Sequence, residues 1–219
     1  FESNRVEVTS DNRYLIENSD ILIIALKPYT IVPFLKEHKA FMTDKHTIIS
    51  AATGITIEDI KNELDQDLGV YRIMPNTASS VGESITTYCT EDKDENKIAI
   101  IESILNNIGE VVRIQEDLME SATILGACGV AYVLRFMRAM IQGGIEVGFD
   151  AATATKIVSQ TMKGAAELII KNNTHPEEEI DKVTTPKGCT IVGLNEMEHA
   201  GFSSALIKGI VTSYSKIEK

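Results

Sequence analysis

The sequence predicts an α/β half followed by an all-helical half, and three observations carry that reading. Up to residue 116, short β-branched or continuously apolar runs alternate with helix-like stretches, the pattern of a mostly parallel sheet with crossover helices. From Asp117 onward, apolar residues recur at a 3.6-residue period with no convincing strand. The chain has 219 residues, 43% of them hydrophobic, enough to bury cores in two modest domains. The expected domains are residues 1–116 and 117–219.

Strands are expected at residues 6–8, 21–26, 47–50, 70–74, 85–89 and 111–114. Between the last two, Ile98, Ile101, Ile104, Leu105 and Ile108 fall at helical spacing. In the second half, helices are expected at 118–125, 130–147, 151–170, briefly around Ile180, and at 191–198 and 202–217. Asp150 is placed to cap a helix, Gly148 and Gly201 stand where helices stop, and Pro176 and Pro186 punctuate connections. Small residues at Gly143-Gly144 and Gly164-Ala165-Ala166 fit close packing within one subunit or against a second one.

Composition excludes several functions. A net charge of -11 and a pI near 4.9 disfavour a nucleic-acid surface, which needs clustered Lys and Arg to displace phosphate counterions. No continuous run approaches the roughly 20 apolar residues of a membrane span, and the first residues lack a secretory pattern, so a soluble, cytoplasmic protein with no membrane partner is expected. The three cysteines, Cys89, Cys128 and Cys189, are widely spaced without a CxxC pair; buried or small-residue roles are expected, with no disulfide framework and no metal site.

A dinucleotide-binding βαβ domain normally carries a glycine-rich turn after its first strand, where backbone N–H groups approach a pyrophosphate. None is present, and the chain opens in mid-pattern, so that turn is expected upstream. The strand ends still read as a cofactor crevice: Ala25-Leu26-Lys27-Pro28, Ser50-Ala51-Ala52-Thr53-Gly54 and Met74-Pro75-Asn76-Thr77 place small or polar residues where ligands bind in open parallel sheets. Thr184-Thr185-Pro186-Lys187-Gly188-Cys189-Thr190 is a tight turn leading into a helix with Ile191, Leu194 and Met197 on one stripe. Exposed N–H groups at that helix start suit an anion; the plainer alternative is that Thr185 or Thr190 simply caps the helix.

The segments Leu26-Lys27-Pro28, Arg72-Ile73-Met74-Pro75-Asn76-Thr77 and Thr184 to Leu194 resemble the V-K-P, R-x-M-P-N-T and T-S-P-G-G-T-T-I-A-G-L motifs of the pyrroline-5-carboxylate reductase family, and the similarity runs over essentially the whole chain. The resemblance implies a Rossmann-type NAD(P)-binding domain lacking its N-terminal part, then an all-helical domain that interlocks as a homodimer and can assemble further. It implies NADPH- or NADH-dependent reduction of 1-pyrroline-5-carboxylate to L-proline, the last step of proline biosynthesis. On that basis Asn12, in the loop after residues 6–8, and Leu26, Lys27, Pro28, Ala51, Ala52, Pro75 and Asn76 line the cofactor path. Thr185 and the backbone of Gly188 and Cys189 hold the substrate carboxylate, and Thr190 hydrogen-bonds the ring nitrogen as the catalytic hydroxyl.

The chain also departs from the family. Lys187 stands where glycine is usual, Cys189 where threonine or a small residue is usual, and Gly126-Ala127-Cys128-Gly129-Val130-Ala131-Tyr132 replaces S-G-S-G-P-A-Y. His38, His46, His175 and His199 lie outside the matched motifs and are expected at the surface or at helix ends. Related imine reductases, β-hydroxyacid dehydrogenases and a catalytically silent dimeric paralogue share the two-half architecture and are the alternatives.

Overall fold

A computed structural model of the chain describes residues 6–217. It divides into two compact units, each described by itself: one runs through Cys128 and takes in the residues from Tyr214 on, and the other comprises Gly129–Ser213. The helical run of the C-terminal half begins at Glu116, but Met119, Thr123 and Ile124 are buried in the first unit, which explains why the division falls later in the chain.

The first unit is a five-stranded sheet in the order β1 (Ile21–Ile24), β2 (Thr47–Ser50), β3 (Gly69–Met74), β4 (Ser84–Thr90), β5 (Gly109–Arg113). The pairs β1–β2, β2–β3 and β4–β5 are parallel, and β3–β4 is antiparallel. A parallel crossover needs about a dozen residues or more. The link from Met74 to Ser84 is too short for one, being a single 3-10 turn, Thr77–Val81, that ends on left-handed Gly82. The helices of this unit are α1 (Asn12–Glu17), α2 (Pro28–His38), α3 (Ile57–Lys61), α4 (Glu95–Leu105) and α5 (Met119–Ala122), the last continuing into a π-turn, Thr123–Cys128.

Side chains alternate across the strands, so each face of the sheet has its own core. Ile48, Val70 and Met74 pack with Ile31, Leu35, Ile57, Ile60 and Met119, whereas Ile49, Tyr71, Ile73 and Tyr88 pack with Ile98, Ile101 and Leu105 of α4. Strand β2 is buried on both faces: Ile48 and Ile49 enter the two cores, and Thr47 and Ser50 are buried at its ends.

The expected strand at 6–8 is not formed. Residues 6–9 carry no regular structure and Val6 and Val8 are exposed, because β-branched residues make a strand only where a neighbour supplies a ladder and a surface to pack on. The strand expected at 21–26 ends at Ile24, where the chain turns outward into Lys27 and Pro28. Asn12 is not in a loop: it opens α1, with Asp11 accepting the Tyr14 N–H at 3.1 Å as N-cap.

The second unit holds α6 (Gly129–Glu146), α7 (Ala151–Asn172), α8 (Pro176–Lys182), α9 (Cys189–His199) and most of α10 (Phe202–Tyr214). Asp150 caps α7 through the N–H groups of Ala152 and Thr153, and Gly148 and Gly201 take positive φ at helix ends. A β-carbon on Gly144 would lie 3.2 Å from Ala154 Cβ, so this glycine permits α6 and α7 to approach; Gly143 and Gly164 face open space. Among the described residues of this unit only Ala154 and Val158 are buried. The helical run Glu116–Glu146 is long and apolar enough, by length and composition, to cross a membrane.

Candidate functional site

Five of the residues assigned to the cofactor gather at the carboxyl ends of β1 and β2. Leu26, Lys27, Pro28, Ala51 and Ala52, with Ala25 and Thr53, line a cavity of about 280 Å³. Lys27 is the N-cap of α2, Pro28 occupies its first turn, where a missing N–H is harmless, and Thr30 donates back to the Lys27 carbonyl at 2.7 Å. The small side chains of Ala51 and Ala52 leave the strand end open to a flat ligand. Asn12 lines an adjoining hollow with Leu22, Ile24 and Leu26.

Pro75 and Asn76 follow β3, the next strand, and line neither hollow. The Asn76 side chain is held at both ends: its Oδ1 accepts the Ala78 N–H at 2.9 Å and its Nδ2 donates to the Gly126 carbonyl at 3.2 Å. Its backbone N–H donates to Ser84 Oγ at 3.0 Å.

The residues assigned to the substrate share one turn in the helical unit. The Gly188 N–H donates to the Thr185 carbonyl at 2.9 Å, closing Thr185-Pro186-Lys187-Gly188. Lys187 lies in the left-handed region at φ 60, the conformation that glycine adopts freely and that costs an ordinary L-residue about 1–2 kcal/mol. Gly188 is the N-cap of α9 with φ -71 and has no side-chain cap bond. The capping alternative is therefore not realised: neither Thr185 nor Thr190 accepts from the start of α9, whose first N–H groups keep their capacity for an anion. Thr185, Cys189 and Thr190 are exposed, and Thr184 hydrogen-bonds the Ile180 carbonyl instead.

Beneath the sheet, Arg72 is fully buried between two carboxylates, Glu116 at 2.8 Å and Glu120 at 3.3 Å. Glu116 also accepts the Ile57 N–H at 2.7 Å, at the start of α3. Burial pushes the thiol of neighbouring Cys89 up to about 11, so it stays protonated and inert. Cys189 is exposed as the first residue of α9, so of the two expected roles only that of a small residue is left to it.

The histidines depart in part. His175 caps α8, His199 ends α9 and His38, though buried, ends α2, but His46 is buried outside any helix end. His46 receives the Thr43 N–H at Nδ1 (2.8 Å) and donates from Nε2 to the Ile16 carbonyl (3.0 Å), a structural tie with no solvent access. Among the described residues, no group of three or more His, Cys, Asp or Glu side chains could hold a metal ion.

Residues 116–219 match the family model described as pyrroline-5-carboxylate reductase dimerisation. The chain is 45% identical over 95% of its length to pyrroline-5-carboxylate reductase 1 of Dictyostelium discoideum and spans 40% of that protein. It is 42% identical over 97% of its length to pyrroline-5-carboxylate reductase 2 of the same organism, spanning 76% of it, and 32% identical over 94% to the Methanosarcina acetivorans pyrroline-5-carboxylate reductase, spanning 77%. Among solved structures, the Plasmodium falciparum pyrroline carboxylate reductase with NADP bound superimposes with a TM-score of 0.86 at 26% identity, covering 98% of this chain and 83% of that one. The Coxiella burnetii pyrroline-5-carboxylate reductase gives 0.86 at 29% identity, covering 95% and 78%.

Proposed function

The chain belongs to the pyrroline-5-carboxylate reductase family, and on that premise we propose that the full protein uses NADPH or NADH to reduce 1-pyrroline-5-carboxylate to L-proline. The observation that carries the reading is the α9 start: a helix N-terminus with no side-chain cap, flanked by the hydroxyls of Thr185 and Thr190, within the segment that matches the family signature. In this reading, residues 1–116 are the Rossmann-type cofactor domain and 117–219 the dimerisation and substrate domain.

The residues at the ends of β1 to β3 fit a dinucleotide. Ala51 and Ala52 leave room at a strand end, Lys27 offers a positive charge at the rim of the same cavity, and Asn76 presents a fixed amide. The nicotinamide supplies the hydride when bound. The N–H groups at Gly188 and Cys189, with the Thr185 hydroxyl, hold the substrate carboxylate and aim the ring. Hydride joins the imine carbon, and the ring nitrogen ends with one proton more than the neutral imine. Thr190 donates a hydrogen bond to that nitrogen; a threonine hydroxyl is a weak acid, so it orients the ring and passes on a proton from water instead of ionising.

We further propose a homodimer as the working unit, with assembly of dimers as its extension, in the cytoplasm. Val133, Leu134, Leu168, Val192, Leu206 and Ile207 are exposed, and an apolar hollow of about 550 Å³ opens among Tyr132, Phe136, Met162, Met197 and Phe202. A second chain covering these faces accounts for the apolar character of 116–146 without a membrane. The test is product analysis: full-length protein with NADPH and 1-pyrroline-5-carboxylate should form proline. A folded, cofactor-binding protein that makes none supports the silent paralogue; one that reduces other imines or β-hydroxyacid precursors in preference supports those relatives.

A further inference from the structure

We propose that Arg72 is a positioning residue for the cofactor contact of Asn76, acting through the helical run that begins at Glu116. This rests on the reading of Asn76 as a cofactor residue. The structure contains a closed circuit within the first unit. Arg72 Nη1 and Nη2 donate to Glu116 and Glu120 at 2.8 and 3.3 Å, fixing the start of the run. The run continues through buried Met119 into the π-turn, whose first residues, Thr123 and Ile124, are buried as well. There the Gly126 carbonyl accepts Asn76 Nδ2, and the chain returns through Pro75 and Met74 to β3, the strand that bears Arg72.

Three features say that this circuit does more than stabilise. A buried guanidinium between carboxylates contributes little over a well-packed apolar residue, because desolvation offsets the attraction, so its presence calls for a role in geometry. Arg72 even leaves its Nε without a partner. Second, π-turns are rare and cluster at functional positions, and here the turn offers a carbonyl to a side chain from outside the helix. A β-carbon on Gly126 would come within 3.3 Å of Ile85 Cγ2, so this carbonyl is held close against β4. Third, with Oδ1 and one Nδ2 hydrogen engaged, the Asn76 amide has a single orientation, leaving its second Nδ2 hydrogen to meet a ligand. Releasing the far end of the run lets that amide turn.

The experiment is a double-mutant cycle on full-length protein, read as NADPH affinity by nicotinamide fluorescence titration and as separate KM values for NADPH and the imino acid. Asn76→Ala and Arg72→Met should each weaken NADPH binding about tenfold while the imino-acid KM stays within about twofold, and the double variant should be no weaker than Asn76→Ala alone. Glu120→Gln, which leaves Glu116 on Arg72, should shift affinity in the same direction by about threefold and serves where Arg72→Met does not fold. Additive losses, or NADPH affinity unchanged in Arg72→Met and Glu120→Gln while Asn76→Ala weakens it, would overturn the proposal. Unchanged affinity in Asn76→Ala overturns instead the reading of Asn76 on which it rests.

Discussion

Gly188 lies so close to Thr185 that a β-carbon on it would stand 2.6 Å from Thr185 Oγ1 and 3.0 Å from the Thr185 carbonyl oxygen. The backbone at Gly188, φ -71, suits any residue, so the glycine is required by space and not by conformation. Gly188→Ala should displace the Thr185 hydroxyl while α9 still forms. Steady-state kinetics should show the imino-acid KM raised about tenfold or more with helix content unchanged by circular dichroism. An unaltered KM would remove Thr185 from the carboxylate site.

Thr190 is exposed and caps nothing, so its hydroxyl is available to a ligand. Thr190→Ala is expected to lower turnover by about 10²-fold if the hydroxyl meets charge developing at the ring nitrogen, with NADPH affinity nearly unchanged. Thr190→Ser should restore most of it. Wild-type turnover in Thr190→Ala would leave the residue no part in the chemistry.

Lys187 is one of two described non-glycine residues at positive φ, and the other, Asn173, is a left-handed helix cap of a type that tolerates the conformation. Lys187→Gly relieves steric strain but adds backbone entropy to the unfolded chain. The balance should stabilise the protein by about 0.5–1 kcal/mol, read as a higher urea midpoint. A lower midpoint would mean that contacts of the lysine stem offset its strain.

Tyr71 and Tyr88 stack on one face of the sheet and hydrogen-bond Asp92 and Glu102. Burial first, then the neighbouring carboxylates, raises both phenol pKa values far above 10. The folded state therefore holds these protons more tightly than the unfolded chain. Their contribution is fully present below pH 10 and is lost as pH rises beyond it toward the folded values. Urea midpoints should fall above pH 10, and more gently in the double variant Tyr71→Phe, Tyr88→Phe.

Much of this was legible from residue pattern. Thr47–Ser50 is found with the predicted bounds because β-branched Thr47, Ile48 and Ile49 favour a strand and the small residues after them end it. The strand ends after β1 and β2 were recognisable as an open edge because Ala51 and Ala52 are too small to fill it, whereas the burial of Ala52 in the core was not announced by the pattern. The helix at Asn12 was signalled only by Asp11 as N-cap, and the short, partly polar stretch after it concealed the period. The burial of His46 depends on two backbone partners, Thr43 nearby and Ile16 far upstream, and no local pattern announces such a tie. Arg72 was visible only as part of a motif; that its charge is enclosed by Glu116 and Glu120 follows from long-range packing of a helix on the sheet.

The helical unit buries only Ala154 and Val158 among its described residues, which has a genetic consequence. In the proposed dimer, most of the interior of that unit is shared property, assembled from two polypeptides. A destabilising change there would not stay confined to the chain that carries it. In a cell expressing two alleles, mixed pairs would place an intact subunit against a faulty one, so lesions in α6, α7, α9 and α10 should tend toward dominance. Lesions in the sheet core, private to each chain, should behave as recessive.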